Sequence, residues 1–149
     1  MTKVLMVCLG NICRSPLAEG ILKSKIDPGT VYVDSAGTAG YHVGKSPDPR
    51  SIAVAKKHGI DITRQSCRKF SELDFEEFDL IYAMDKSNYS DILHLAQSPA
   101  HANKVNLLLS DTHLGVEEVP DPYYGGEDGF EEVYRLINSA CEAIAHKLH

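Results

Sequence analysis

The residues with the most chemistry in them stand near the N-terminus, in Val7-Cys8-Leu9-Gly10-Asn11-Ile12-Cys13-Arg14-Ser15-Pro16. Cys8 offers a sulfur nucleophile, and Arg14 offers a planar fork of donors that matches two oxygens of a phosphate. If Cys8 closes a strand and Ser15-Pro16 opens a helix, the loop Leu9–Arg14 wraps a point on the helix axis and its backbone N–H groups converge there. The helix dipole adds positive potential at the same point. Gly10 and Asn11 are residue types that tolerate the left-handed backbone such an amide nest requires. The pattern is an oxyanion cradle with a thiol at its rim. The thiolate is the nucleophilic form of cysteine, and its attack on a phosphorus held there makes a phosphocysteine. Ser15 is placed to cap the helix and to donate to the thiolate. If Cys8 were merely a buried strand residue and Arg14 a surface charge, Asn11 and Ser15-Pro16 would be left unexplained as a set.

Expelling an alkoxide or phenoxide also needs an acid. Asp121, in Val119-Pro120-Asp121-Pro122-Tyr123-Tyr124-Gly125-Gly126, lies on a stretch punctuated by Pro and Gly, on the side where the cradle must open. The prolines stiffen it, and Tyr123 and Tyr124 can shield it from water, a setting suited to a general acid. Asp34, Asp85 and Asp111 also fall near predicted strand ends, so spacing alone does not choose among the four.

The elements that must position these groups are legible as alternating apolar runs and helix-period segments, the pattern of β-α-β units and a parallel sheet. Lys3–Cys8, Val31–Ser35, Leu80–Met84 and Val105–Leu109 read as buried strands, rich in Val, Ile, Leu and Tyr. A first helix runs from Ser15 as cap and Pro16 as first residue to Ile26, where Asp27-Pro28-Gly29 stops it. Asp48-Pro49 opens a second, which Gly59 closes, and Lys86–Ala96 makes a third. The last helix has the clearest stripe: Phe130, Val133, Tyr134, Ile137, Cys141, Ile144 and Leu148 recur at spacings of three and four. Cys141 sits on that stripe and reads as core. Right-handed crossovers put helices on both faces of a four-stranded, doubly wound parallel sheet, with the phosphate loop between the first strand and the first helix. Ligands in such sheets bind at the carboxyl ends of the strands, where Cys8 stands.

The 149 residues amount to one domain, 1–149, long enough to bury a core without a disulfide or metal staple. Fifteen Lys and Arg against 21 Asp and Glu give a formal charge of −6, which opposes non-specific nucleic-acid binding. No apolar run approaches the roughly 18 residues of a membrane span, and Val4–Leu9 is too short for a signal-peptide core. The expected location is cytoplasmic, so the four cysteines, 8, 13, 67 and 141, are expected as thiols. No His or second Cys pair has metal-ligand spacing, so neither a metal nor a cofactor is expected.

The segment VCLGNICRSP, with DPYYG late in the chain and DSAGT after the second strand, closely resembles the low-molecular-weight protein tyrosine phosphatases, and the likeness covers the whole chain. That resemblance implies hydrolysis of phosphotyrosine on proteins, with inorganic phosphate as product. It implies Cys8 as nucleophile, Arg14 as phosphate and transition-state binder, and Asp121 as acid and then as base for water. It further implies that Asn11 and Ser35 hold the loop's shape, that Ser15 assists the thiolate, and that the Leu9–Arg14 amides, including those of Gly10 and Cys13, bind phosphate. Leu9, Ile12, Tyr41, Tyr123 and Tyr124 would line a slot for an aryl ring. Cys13 would trap oxidised Cys8 as a disulfide and protect it from over-oxidation. One feature departs from the family: many relatives carry a loop-supporting His after the second helix, whereas Gly59–Arg68 has none and His58 is not a safe substitute.

Three rivals share the loop. An arsenate reductase coupled to thioredoxin needs a further cysteine pair near the middle of the chain, where Cys67 stands alone. A protein arginine phosphatase resembles this family but carries a small Thr where this chain has Ile12, and a branched apolar residue there favours an aromatic ring. A phosphocysteine phosphocarrier needs neither the Asp121 acid nor an Arg14-gripped water step.

Overall fold

The computed structural model describes residues 1–123 and 127–148. Four parallel strands, β1 (Thr2–Cys8), β2 (Val31–Gly37), β3 (Leu80–Ala83) and β4 (Val105–Leu107), pair in the order β2-β1-β3-β4. The chain leaves β1 to one side for β2 and returns on the other for β3. The carboxyl end of β1 is therefore the switch point of the sheet, where crossovers diverge and leave a crevice.

Side chains of β1 alternate between two cores. Val4, Met6 and Cys8 pack with α1 (Arg14–Lys23), α2 (Pro49–Lys57) and α6 (Glu127–Leu148) on one face. Leu5 and Val7 pack with Phe75 of α3 (Asp74–Glu77) and Ile92 of α4 (Lys86–Leu95) on the other. Burial on both faces is why β1 reads as one continuous apolar run. Cys141 is fully buried with α1 against it, as its place on the apolar stripe of α6 requires. Among the described residues, no helix is long and apolar enough to cross a membrane.

The fold class is as expected, with local departures. Strand β2 continues to Gly37 because its register on β1 runs on to the Cys8–Gly37 pair. Helix α2 opens as anticipated, the Asp48 carboxylate accepting from Arg50 N at 2.8 Å. Helix α1 does not: it begins at Arg14, its cap position is Cys13, and no side chain caps it. Ser15 lies inside the first turn with its hydroxyl turned to other partners. The short helices α3 and α5 (Pro99–Ala102) and the 3-10 turn Leu108–Asp111 were not anticipated, since four residues are too few to display a helical period.

Candidate active site

Cys8, 3% exposed, ends β1 at the floor of a cleft of about 260 Å³. Loop residues Leu9, Gly10, Ile12, Cys13 and Arg14 line it together with Tyr41, His42, Asp121 and Tyr123. Tyr124 lies outside the described residues.

Asn11 is the hub of the loop. It adopts φ 56°, the left-handed conformation that Asn tolerates and most residues do not. Its backbone N–H points at Cys8 Sγ at 3.3 Å, and its side-chain Nδ2 donates to Ser15 Oγ at 2.7 Å and Ser35 Oγ at 3.0 Å. Its Oδ1 accepts from the Arg68 N–H at 3.0 Å, and its carbonyl accepts from the Cys67 thiol at 2.8 Å. Every polar group of this one residue is used, so the strained turn is fixed from all sides. Ser15 Oγ, 3.1 Å from Cys8 Sγ, links that network to the sulfur. Ser35 Oγ in turn donates to Glu19 Oε1 at 2.6 Å.

Gly37 lets β2 come close enough to brace the loop. A Cβ there would sit 2.8 Å from the Leu9 carbonyl oxygen and 3.0 Å from Asn11 N, both backbone atoms that cannot swing aside. Beyond it, Thr38 and Ala39 donate from their backbone nitrogens to the Cys8 and Leu9 carbonyls, each at 2.9 Å.

Arg14 is 2% exposed and anchored on one side only. Its Nη1 donates to Asp85 Oδ2 at 2.6 Å and to the Val119 carbonyl at 2.9 Å. Its Nε is buried without a partner, and its Nη2 has Asp121 Oδ2 at 3.7 Å. An unpaired buried donor is costly, so the vacant edge of the fork calls for an acceptor. Burial works against the Arg14 charge, but Cys8, Asp85 and Asp121 outweigh it and hold the guanidinium above its ordinary pKa.

The four candidate acids separate in space. Asp34 pairs with Arg68 at 3.1 Å and Asp111 with Lys147 at 3.7 Å, both away from the cleft. Asp85 is spent on Arg14 and on capping α4 through Asn88 N at 2.7 Å. Asp121 alone of the four lines the cleft, its side chain 40% exposed and its Oδ1 accepting from Tyr123 N at 3.0 Å. Arg50, held by Asp48, donates to the Tyr123 carbonyl at 2.9 Å and so ties this segment to α2.

His42 belongs to the site and carries no periodicity or motif that points to it, and Asp85, a candidate acid by its place at a strand end, serves instead as the partner of Arg14. His42 follows Tyr41 in an irregular stretch, and its place in the cleft beside Tyr123 emerges only from the fold. His58 stacks on Tyr134 with ring centres 3.8 Å apart and bonds Glu131, so it does not support the loop. Cys67 and Arg68 do. Burial pushes the Cys67 thiol up to about 11, and burial together with Asp48 pushes Cys13 up to about 12.

A parallel sheet whose switch point holds a thiol, an amide loop and a half-satisfied guanidinium defines a cysteine-dependent phosphate-handling enzyme. The family described as low molecular weight phosphotyrosine protein phosphatase matches residues 3–149. The low molecular weight phosphotyrosine protein phosphatase of Schizosaccharomyces pombe is 46% identical over 143 residues, covering 90% of each chain. The low molecular weight protein-tyrosine-phosphatase of Streptomyces coelicolor is 41% identical over 149 residues, covering 95% of this chain and 90% of its own. A crystal structure of a protein tyrosine phosphatase from Entamoeba histolytica superposes with a TM-score of 0.94 at 40% identity, covering 99% of this chain and 97% of that one. The chain belongs to the low molecular weight phosphotyrosine protein phosphatase family, and its enzyme class is that of the cysteine-dependent protein-tyrosine phosphatases.

Proposed function

We propose that this enzyme hydrolyses phosphotyrosine on proteins through a phosphocysteine at Cys8, with inorganic phosphate as product. One observation carries the assignment of roles: Arg14, whose buried Nε has no partner, lines the same cleft as Cys8 and Asp121. The phosphate oxygens take the N–H groups of Leu9–Arg14 and the vacant edge of the Arg14 fork. Cys8 attacks phosphorus as the bond to the tyrosine oxygen breaks, and Asp121 gives that oxygen its proton. Asp121, now a carboxylate, takes a proton from water; the water oxygen bonds to phosphorus and the S–P bond breaks, freeing phosphate and the thiolate. Charge on the equatorial oxygens is matched throughout by groups fixed before substrate arrives.

Ser15 donates to the thiolate, while Asn11 and Ser35 hold the loop in shape. Leu9, Ile12, Tyr41, Tyr123 and Tyr124 form the slot for the ring, and the branched Ile12 suits an aryl group better than a guanidinium. Cys13 is the protective partner: peroxide takes Cys8 to a sulfenic acid, and the Cys13 thiol condenses with it, losing water. The thiolate, guanidinium and carboxylate supply the whole reaction, so no cofactor is needed. We read residues 1–149 as one phosphatase domain working in the cytoplasm.

The test is phosphate release from phosphotyrosine and phosphoarginine peptides, with chelator present, by wild type and Cys8→Ser. Release selective for phosphotyrosine and lost in the variant supports the reading. Release from phosphoarginine alone, or release surviving in Cys8→Ser, overturns it.

A further inference from the structure

Beyond the cleft lies a second concavity. Leu9 and Tyr41 line both the cleft and a groove of about 790 Å³ that runs between the Ser71–Leu73 segment and α4. Its apolar surface is unusually open: Leu73 is 77% exposed, Tyr41 73% and Leu9 40%. Single exposed apolar residues are ordinary, but three facing one groove that adjoins an active site mark a contact surface. Three charged side chains also line it, the carboxylates of Glu72 and Asp91 and the lone cation of Lys69.

We propose that this groove receives the stretch of a substrate polypeptide next to its phosphotyrosine and selects substrates carrying a large apolar side chain there. The inference rests on the reading of the cleft as the phosphotyrosine site and adds the substrate class to it. Continuity carries it: Leu9 and Tyr41 line both the cleft and the groove, so a polypeptide whose phosphotyrosine is seated against them can pass directly from one into the other. Leu73 and Leu95 line the groove, and about four extended residues of substrate reach roughly 13 Å beyond the phosphotyrosine. The two carboxylates disfavour acidic neighbours at the same position. A small aryl phosphate ends inside the cleft and never reaches the groove.

The experiment measures kcat/KM on phosphotyrosine peptides in which one Leu is moved through about four positions on either side of the phosphotyrosine in a Gly/Ser background. Free phosphotyrosine and p-nitrophenyl phosphate serve as controls, and wild type is compared with Leu73→Asp. Leu73 stands exposed at the start of α3, so its replacement leaves the cores intact. The expected result is a gain of about fivefold to tenfold at one register, carried by KM, abolished in Leu73→Asp with both controls unchanged. A flat scan, a gain that survives Leu73→Asp, or a preference for Asp at that register overturns the groove while leaving the phosphatase reading intact. Failure of the wild type on free phosphotyrosine removes that reading and the groove with it. Sedimentation of both proteins covers the remaining occupant: self-association lost in Leu73→Asp with no change in peptide selectivity makes the groove a contact between copies and overturns the proposal.

Discussion

Arg14 Nη1 donates to Asp85 Oδ2 at 2.6 Å, a bond that joins the first residue of α1 to the cap of α4 across the carboxyl end of the sheet. It holds the guanidinium by Nη1, leaving Nε without a partner and Nη2 facing Asp121 Oδ2 at 3.7 Å. Asp85→Asn keeps an acceptor and a capping side chain but removes the charge. Its expected effect is weaker inhibition by phosphate, by about tenfold, with thermal stability lowered by less than about 1 kcal/mol. Asp85→Ala takes the carboxylate away from both Arg14 Nη1, which keeps only the Val119 carbonyl, and Asn88 N, and should lose about 2–4 kcal/mol. Equal phosphate inhibition constants in wild type and Asp85→Asn contradict the positioning role.

Asp121 lines the cleft with its Oδ2 3.7 Å from Arg14 Nη2. In its proposed role as proton donor it matters most where the leaving oxygen is most basic. Asp121→Ala should slow phenyl phosphate by about 10²–10⁴-fold and p-nitrophenyl phosphate far less. A plot of rate against leaving-group acidity is the measurement, and parallel lines for wild type and variant rule the role out.

Gly37 is required by distance rather than by dihedral angle. Gly37→Ala places a methyl 2.8 Å from the Leu9 carbonyl oxygen. The loop must shift, costing about 1–3 kcal/mol of stability by thermal melt and lowering kcat more than phosphatase expression or folding yield. Unchanged kcat would show that the loop tolerates the displacement.

Cys67 donates to the Asn11 carbonyl at 2.8 Å and so supports the loop from outside it. Cys67→Ala leaves that carbonyl unpaired at a cost of about 1–3 kcal/mol and should lower kcat; Cys67→Ser, which restores a donor, should recover most of both. Similar losses in Ala and Ser variants would assign Cys67 to packing instead.

The thiols also differ in their pH response. Burial pushes Cys13 up to about 12 and Cys67 up to about 11, so both stay protonated from pH 5 to 9 and become thiolates only well above it. Iodoacetate at neutral pH is expected to label Cys8 first, with phosphate protecting it. Peptide mapping that finds Cys13 or Cys67 labelled at the same rate contradicts this order.

The buried runs of β1–β4, the Asp48-Pro49 start and the stripe of α6 were legible because periodicity and capping are local properties. Cys8, Gly10, Asn11 and Arg14 were legible because a strand, a loop and a helix confine them to one short segment. His42, Cys67 and Glu19 were not, since their partners in the site come from separate segments of the chain; Asp85 was legible as a candidate acid but not as the partner of Arg14. Asp121 shows the boundary: spacing left it level with Asp34, Asp85 and Asp111 until the structure gave the other three to Arg68, Arg14 and Lys147. Ser15 shows the opposite failure, a good cap by type whose hydroxyl is drawn instead toward Cys8 and Asn11.

The central claim is covalent chemistry at Cys8, and trapping the intermediate tests it most directly. Asp121→Ala should form the phosphoenzyme from p-nitrophenyl phosphate, whose leaving group needs little acid, and then hydrolyse it slowly for want of a base. Acid quench during turnover, followed by peptide mass spectrometry, should find phosphate on the Cys8 peptide of this variant and none in Cys8→Ser. Phosphate release with no phosphorylated Cys8 peptide at any quench time, or phosphate recovered on another residue, would contradict the account.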